Sequence, residues 1–238
     1  MQTFMVMTIS VVVPTLNEER VLPGTFPHTL ALGFDEVTVV DGGSRDRTPD
    51  ILAPYVSARG ACPVTVVTAP CGRATQMNLG AALSRGDVLL FLHADTLLPR
   101  DAKAQILQAL GDPACVGGRF DVRFERDEGW GWVISRMMNL RSRWTGIATG
   151  DQALFVRRTA FQKVGGFPDI PIMEDVEFTR RLKRAGAVAA LRTKVVTSYR
   201  RWERRGAVRT IVLMWLLRFL HWLGIKPERL KQLYGDAR

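Results

Sequence analysis

Residues 89–96 read LLFLHADT, and they carry four apolar side chains straight into His93, Ala94 and Asp95. A carboxylate at the end of a core strand is costly unless a counter-charge meets it. Asp95 therefore reads as a ligand for a hard divalent cation, Mg²⁺ or Mn²⁺, which takes carboxylate oxygens together with substrate phosphates. The competing reading is a turn residue ahead of Pro99. His93 fits a second metal ligand, a phosphate donor or a hydrogen-bonded core histidine. Asp41, followed by Gly42 and Gly43, suits a carboxylate that meets a ribose or base, or one that caps the turn into the next helix.

The elements that must position these groups follow from the pattern. Short β-branched or apolar runs at residues 9–14, 36–41, 64–68 and 88–93 read as strands buried on both faces. Helix signals fill the gaps: Thr48-Pro49-Asp50 opens one helix, residues 73–83 form a second and residues 101–110 a third. Such alternation builds right-handed βαβ units and an α/β, mostly parallel sheet. Beyond residue 112 the regularity weakens. Residues 116–124 read as an antiparallel or edge strand, 130–144 and 174–185 as helices, and 153–156 and 188–191 as short strands. Residues 1–200 are expected to form one domain and 201–238 a C-terminal helical appendage.

Ligands of an open parallel sheet bind beyond the strands' carboxyl ends. Those ends carry Pro14-Thr15-Leu16-Asn17-Glu18-Glu19, then Asp41, then the segment leading to Arg73, then His93-Ala94-Asp95. This is a nucleotide site in outline. Neither G-x-G-x-x-G nor a P-loop is present, so a dinucleotide fold and a P-loop are excluded.

Bulk properties narrow the class. With 33 Lys+Arg against 23 Asp+Glu the net charge is +10, which admits phosphorylated ligands, anionic lipid or nucleic acid. Only 3 tyrosines and no aromatic-rich strand speak against nucleic acid as partner. The 3 cysteines, odd in number and without C-x-x-C, fit a reducing cytosol rather than a disulfide or zinc framework. MQTFMVMTIS lacks a basic n-region, so no signal peptide is expected.

Five motifs in order, VVVPTLNEE, DGGSRDRT, FLHADT, GDQALFVRR with GGF, and MEDVEFTRRL, resemble the family 2 glycosyltransferases of the GT-A fold, over about residues 9–192. Within them the chain is most similar to small bacterial transferases associated with radical-SAM and selenium-domain gene clusters. The resemblance implies a nucleotide-diphosphate sugar donor and a role for each matching position. Pro14, Thr15, Asn17 and Glu18 would line the nucleotide pocket, Asp41 would bind the nucleoside, and Arg73 would approach the base or diphosphate. Ala94 and Asp95 would sit at the donor, with Asp95 on the metal. Asp175, beside Glu174, would be the catalytic base, and Asp151 and Gln152 would face sugar or acceptor. His93 replaces the first acid of the family's D-x-D motif, so it is carried as an alternative metal ligand. Arg201 and Trp202 keep the R-W of the Q-x-x-R-W motif of processive synthases without its glutamine, which argues against a polymer synthase and leaves them near acceptor or sugar.

A metal and nearby arginines would neutralise the leaving diphosphate while a carboxylate removes the acceptor's proton, giving inversion. The rival functions are a nucleotidyltransferase and a non-catalytic nucleotide-sugar-binding module. In the C-terminal segment, Val208, Ile211, Val212, Trp215, Leu216, Phe219 and Trp222 share one helical face. That face suits an anionic membrane surface, with the protein cytoplasmic and peripheral on the inner leaflet; the other reading is a core-packing or homodimer helix.

Overall fold

The computed structural model describes residues 7–57 and 62–235. In chain order they form β1 (Ile9–Thr15), α1 (Leu22–Ala31), β2 (Glu36–Asp41), α2 (Thr48–Ser57), β3 (Val64–Thr68), α3 (Arg73–Leu83), β4 (Val88–Phe91) and β5 (Thr96–Leu97). There follow α4 (Ala102–Ala109), β6 (Cys115–Phe124), α5 (Trp130–Thr145), a 3-10 turn (Gly150–Gln152), β7 (Leu154–Arg157), α6 (Arg158–Lys163) and α7 (Glu174–Ala185). The chain ends with β8 (Ala187–Thr197), α8 (Arg200–Arg205), α9 (Ala207–Trp222) and α10 (Pro227–Tyr234).

One sheet runs in the order β3-β2-β1-β4-β7-β6-β8-β5. Its first half is parallel throughout, β3 with β2, β2 with β1 and β1 with β4. Beyond β4 it is mixed: β7 is antiparallel to both β4 and β6, β6 is parallel to β8, and β8 is antiparallel to β5. The two-residue period of a strand explains the continuous apolar runs. Val11, Val13 and Leu90 face a core shared with Leu22 and Phe26 of α1, Leu52 of α2 and Ile106 of α4. Val12, Leu89 and Phe91 face the opposite core, shared with Met77 of α3, Phe161 of α6 and Phe178 and Leu182 of α7.

Several boundaries differ from the sequence reading for identifiable reasons. The helix α1 carries Pro23 in its first turn and Pro27 within it, so its pattern was masked. The strand expected at residues 116–124 lies inside the sheet between β7 and β8 rather than at an edge. The last strand continues to Thr197, eleven residues in all, because its second half pairs with β5 and with the far end of β6.

In the C-terminal segment, α9 turns Thr210, Leu213, Met214, Leu217 and Leu220 inward, where Leu217 joins Leu230 of α10 and Met173 in a third small core. The face bearing Val208, Val212, Trp215, Leu216, Phe219 and Trp222 is exposed. Among the described residues no helix is long and apolar enough to cross a membrane.

The helix α3 packs tightly on the sheet at Gly80, where a Cβ would lie 2.3 Å from Val12 Cγ1 and 3.2 Å from Val40 Cγ2. Val12 is fully buried and cannot yield. Overpacking costs about 1–3 kcal/mol, more than the ~1 kcal/mol that alanine gains over glycine in a helix. Gly80→Ala is therefore expected to lower the urea midpoint; an unchanged or raised midpoint would show that α3 can lift off the sheet freely.

Candidate active site

The loops after β1 and β2 are tied to each other. The Asn17 amide donates to Ser44 Oγ at 2.8 Å, the Arg45 amide to Asn17 Oδ1 at 2.8 Å, and the Glu18 amide to Thr48 Oγ1 at 2.8 Å. Asn17 adopts a left-handed conformation, φ 54°, which asparagine tolerates better than most residues. Behind these loops Gln76 of α3 donates to the carbonyls of Thr15 and Val40, both at 2.8 Å, fixing the ends of both strands. Asp41 belongs to this scaffold. Its carboxylate accepts from the amides of Gly43 (3.1 Å) and Ser44 (2.8 Å) and from the hydroxyls of Ser44 (2.5 Å) and Thr15 (3.3 Å). Asp41 therefore stands behind the cleft lining, with its oxygens engaged in the turn.

Over these strand ends lies a polar cleft of about 310 Å³. Pro14, Thr15, Asn17, Glu18, Arg73, His93, Ala94, Asp95, Asp151 and Trp202 line it. The partner of Asp95 is Arg200, at the start of α8: its Nη2 lies 3.1 Å from Asp95 Oδ2 and 2.7 Å from Glu18 Oε2. Burial works against the Arg200 charge, but Glu18 and Asp95 outweigh it and hold the guanidinium above its ordinary range. Across the cleft, His93 Nδ1 lies 3.1 Å from Asp151 Oδ1.

A narrow crevice of about 10 Å³ adjoins the cleft, and Pro14, Arg73 and His93 line both. Its floor carries Glu174 and Asp175, at the N-terminus of α7. Asp175 Oδ2 accepts the Gly150 amide at 2.8 Å and Oδ1 the Val176 amide at 2.7 Å, so the carboxylate is fixed against the 3-10 turn. Arg73 Nη1 stands 3.9 Å from Glu174 Oε1. Burial opposes the Arg73 charge, yet Glu174, Asp151, Asp175 and Asp95 together raise its pKa.

Gln152 is not in either space. It is fully buried and donates to Ser142 Oγ at 3.1 Å and to the Phe120 carbonyl at 3.4 Å, so it braces the 3-10 turn against α5 and β6. The Arg201 side chain lies outside the described residues. Sequence reasoning did not select Arg200, Phe124, Thr197 or Ser198, all in the cleft wall. Arg200 could have been found from the arginine-rich segment at 200–209; the others arrive only through the long β6–β8 pairing.

The donor set suits a divalent cation shared with a substrate. Asp95 opens onto the cleft, and among the described residues no three His, Cys, Asp or Glu side chains gather into a ready-made metal cage. Mg²⁺ and Mn²⁺ sites of this kind use one or two carboxylates and complete their shell with phosphate oxygens and water.

The family model for glycosyl transferase family 2 matches residues 10–165, more than half of the chain. The chain belongs to this family. The transferase is 31% identical over 165 residues to an undecaprenyl-phosphate 4-deoxy-4-formamido-L-arabinose transferase of Pseudomonas aeruginosa (strain LESB58), covering 66% of this chain and 48% of that one. It is 32% identical over 158 residues to a PGL/p-HBAD biosynthesis glycosyltransferase of Mycobacterium tuberculosis (strain ATCC 25177 / H37Ra), covering 65% and 57%. The transferase thus spans about half the length of the curated relatives it matches. Among solved structures, the mannosyltransferase PcManGT from Pyrobaculum calidifontis, in complex with GDP-Man and Mn²⁺, superposes with a TM-score of 0.68 at 21% identity, covering 89% of this chain and 60% of that one. TarS 1-349 of S. aureus with UDP-GlcNAc gives 0.67 at 19%, covering 81% and 58%. The fold is accordingly GT-A.

Gly150 supplies a test of the site's tightness. A Cβ there would lie 2.4 Å from His93 Nε2, whereas at Gly24 of α1 it would meet nothing within 4 Å. Gly150→Ala must displace His93 or the Gly150–Asp175 hydrogen bond, and is expected to cost about 1–3 kcal/mol. Gly24→Ala is expected to be neutral or stabilising by up to ~1 kcal/mol. Equal denaturation midpoints for the two variants would contradict the close packing of His93 on the turn.

Proposed function

We propose that this family 2 glycosyltransferase moves a sugar from a nucleoside diphosphate donor to an acceptor with inversion, with Asp175 as general base. The observation that carries the reading is the meeting of the Arg73- and Arg200-bearing cleft with the crevice that holds Asp175. The nucleoside end of the donor would lie along Pro14, Thr15, Asn17 and Glu18, and its diphosphate would reach toward Asp95. A divalent cation, when bound at Asp95 with the diphosphate, supplies charge neutralisation for the departing group. His93 would be its alternative protein contact, and Asp151 would face the sugar or acceptor.

The chain's own residues account for the rest. Arg73 and Arg200 are already held as cations, and both can exchange a carboxylate contact for a diphosphate oxygen as negative charge builds there. The acceptor hydroxyl attacks the anomeric carbon and passes its proton to Asp175; the bond from that carbon to the diphosphate oxygen breaks as the new bond forms. The Gly150 amide holds Asp175 in one orientation for this purpose. Likeness to the radical-SAM- and selenium-domain-associated subgroup is part of the reading and rests on the motifs alone.

The apolar face of α9 is exposed, and so are Trp130, Trp132, Leu140 and Trp144 of α5. With the basic segment at 200–209 it fits the interface of an anionic membrane, on its cytoplasmic side. The protein should pellet with anionic vesicles at low salt and be released as salt rises; failure to pellet at low salt would remove this part of the proposal.

Thermal stability against UDP, GDP, dTDP and CDP, each with and without Mn²⁺, tests the donor site. A native-state ligand at a hundredfold excess over its Kd adds about 2.7 kcal/mol. One nucleotide should stabilise in a Mn²⁺-dependent way, and Asp95→Asn should lose that dependence. Asp175→Asn should keep nucleotide binding while release of nucleoside diphosphate from the donor falls by about 10²–10⁴. Normal turnover by Asp175→Asn would remove the base assignment, and no shift with any nucleotide would favour a non-catalytic module.

A further inference from the structure

A second cavity, of about 80 Å³, lies between α5 and α9. Its walls are mostly apolar, with Ile134, Met137 and Met138 on one side and Ile211, Met214 and Trp215 on the other. Asp151 and Trp202 line both this cavity and the polar cleft, so the two spaces meet at the place where donor and acceptor would react.

Two arginines interrupt the apolar lining, Arg141 from α5 and Arg218 from α9. The Nε and Nη2 atoms of Arg141 are closed off from solvent and have no hydrogen-bond partner among the described residues. Burial, and then repulsion from Arg218, push the Arg141 guanidinium down to about 9, with only partial relief from Asp175 and Asp151. Burial likewise lowers Arg218. Unpaired guanidinium donors in an apolar cavity are expensive. An arrangement of this kind is relieved when a ligand brings the missing anion, and two planar forks suit a phosphate-type oxyanion better than a single charge would.

We propose that this cavity is the acceptor site and that it takes a hydroxyl-bearing anionic amphiphile, whose phosphate-type group sits between Arg141 and Arg218 while its chain lies along the Met- and Ile-lined wall. The assignment of the ligand as acceptor rests on the transfer reading above; its binding does not. The methionines suit a flexible chain, because their unbranched side chains adapt to irregular apolar shapes. Val212 and Leu216 of α9 and Leu140 of α5, each next in sequence to a lining residue, are exposed, so an amphiphile would come from an apolar surface and present its hydroxyl at Asp151.

The test is a tryptophan-fluorescence and calorimetric titration of the full chain with dodecyl phosphate below its micelle concentration, with dodecyl maltoside and with inorganic phosphate. Trp202 and Trp215 line the cavity and report occupancy. Dodecyl phosphate is expected to bind at least ~10-fold more tightly than either control, the factor a charge-assisted hydrogen bond of about 1.5 kcal/mol supplies. Arg218→Gln should remove that preference and Arg218→Lys should restore part of it. Arg141→Gln should act likewise; should it fail to fold, the pair at 218 decides. Equal binding of the maltoside would overturn the anion site, and equal binding of inorganic phosphate would leave an adventitious ion only. An unchanged preference in Arg218→Gln would also overturn it. Nucleotide-induced stabilisation, read on the same samples, reports separately on the donor site: its absence would remove the word acceptor and leave a lipid-anion site.

Discussion

Like charges converge on one edge of the sheet. Glu18, Asp95 and Asp151 line the cleft, and Glu174 and Asp175 line the crevice beside it. Such a gathering is sustainable only because Arg73 and Arg200 stand among them and are themselves held as cations by the carboxylates. The rest of the architecture serves that balance. The strands β1 and β4 end beneath it, Gln76 and Asp41 lock the turns that carry it, and β8 runs its full length so that Arg200 can arrive at its far end.

Backbone strain follows the same map. Among the described residues three non-glycines have positive φ: Asn17 at 54°, Ala153 at 47° and Met173 at 68°. Each flanks the site: Asn17 in the first loop, Ala153 after the 3-10 turn, Met173 immediately before Glu174. Each conformation costs roughly 1–2 kcal/mol. Local strain at these points is compensated by packing and hydrogen bonds around them, most visibly at Asp175, which the Gly150 amide holds in place.

The first half of the fold was legible because βαβ units write themselves locally: Val11-Val12-Val13 and Leu89-Leu90-Phe91 are apolar without alternation only in a strand covered on both faces. The strand ends then placed Pro14, Asn17, Glu18, Arg73 and Asp95 together by rule. Asp41 marks the limit of that rule. An aspartate before two glycines serves a ligand or its own turn equally well, and only the positions of Ser44 and Thr15 decide. Arg200 and Arg141 were hidden for another reason. The partners of Arg200 lie 182 and 105 residues away, and for two donors of Arg141 no partner stands among the described residues.

Met173 connects two parts of the molecule that the sequence presents as separate. Its strained backbone aims Glu174 and Asp175, and its side chain is buried against Leu217 of α9 and Leu230 of α10. The helix that lines the apolar cavity therefore also steadies the residue that orients the carboxylates. Under the proposed assignment of that cavity to the acceptor, acceptor preference and alignment of the reacting groups are not separable modules. A chimera that borrowed α9 and α10 from another transferase would inherit both traits at once, and drift in one would be constrained by the other.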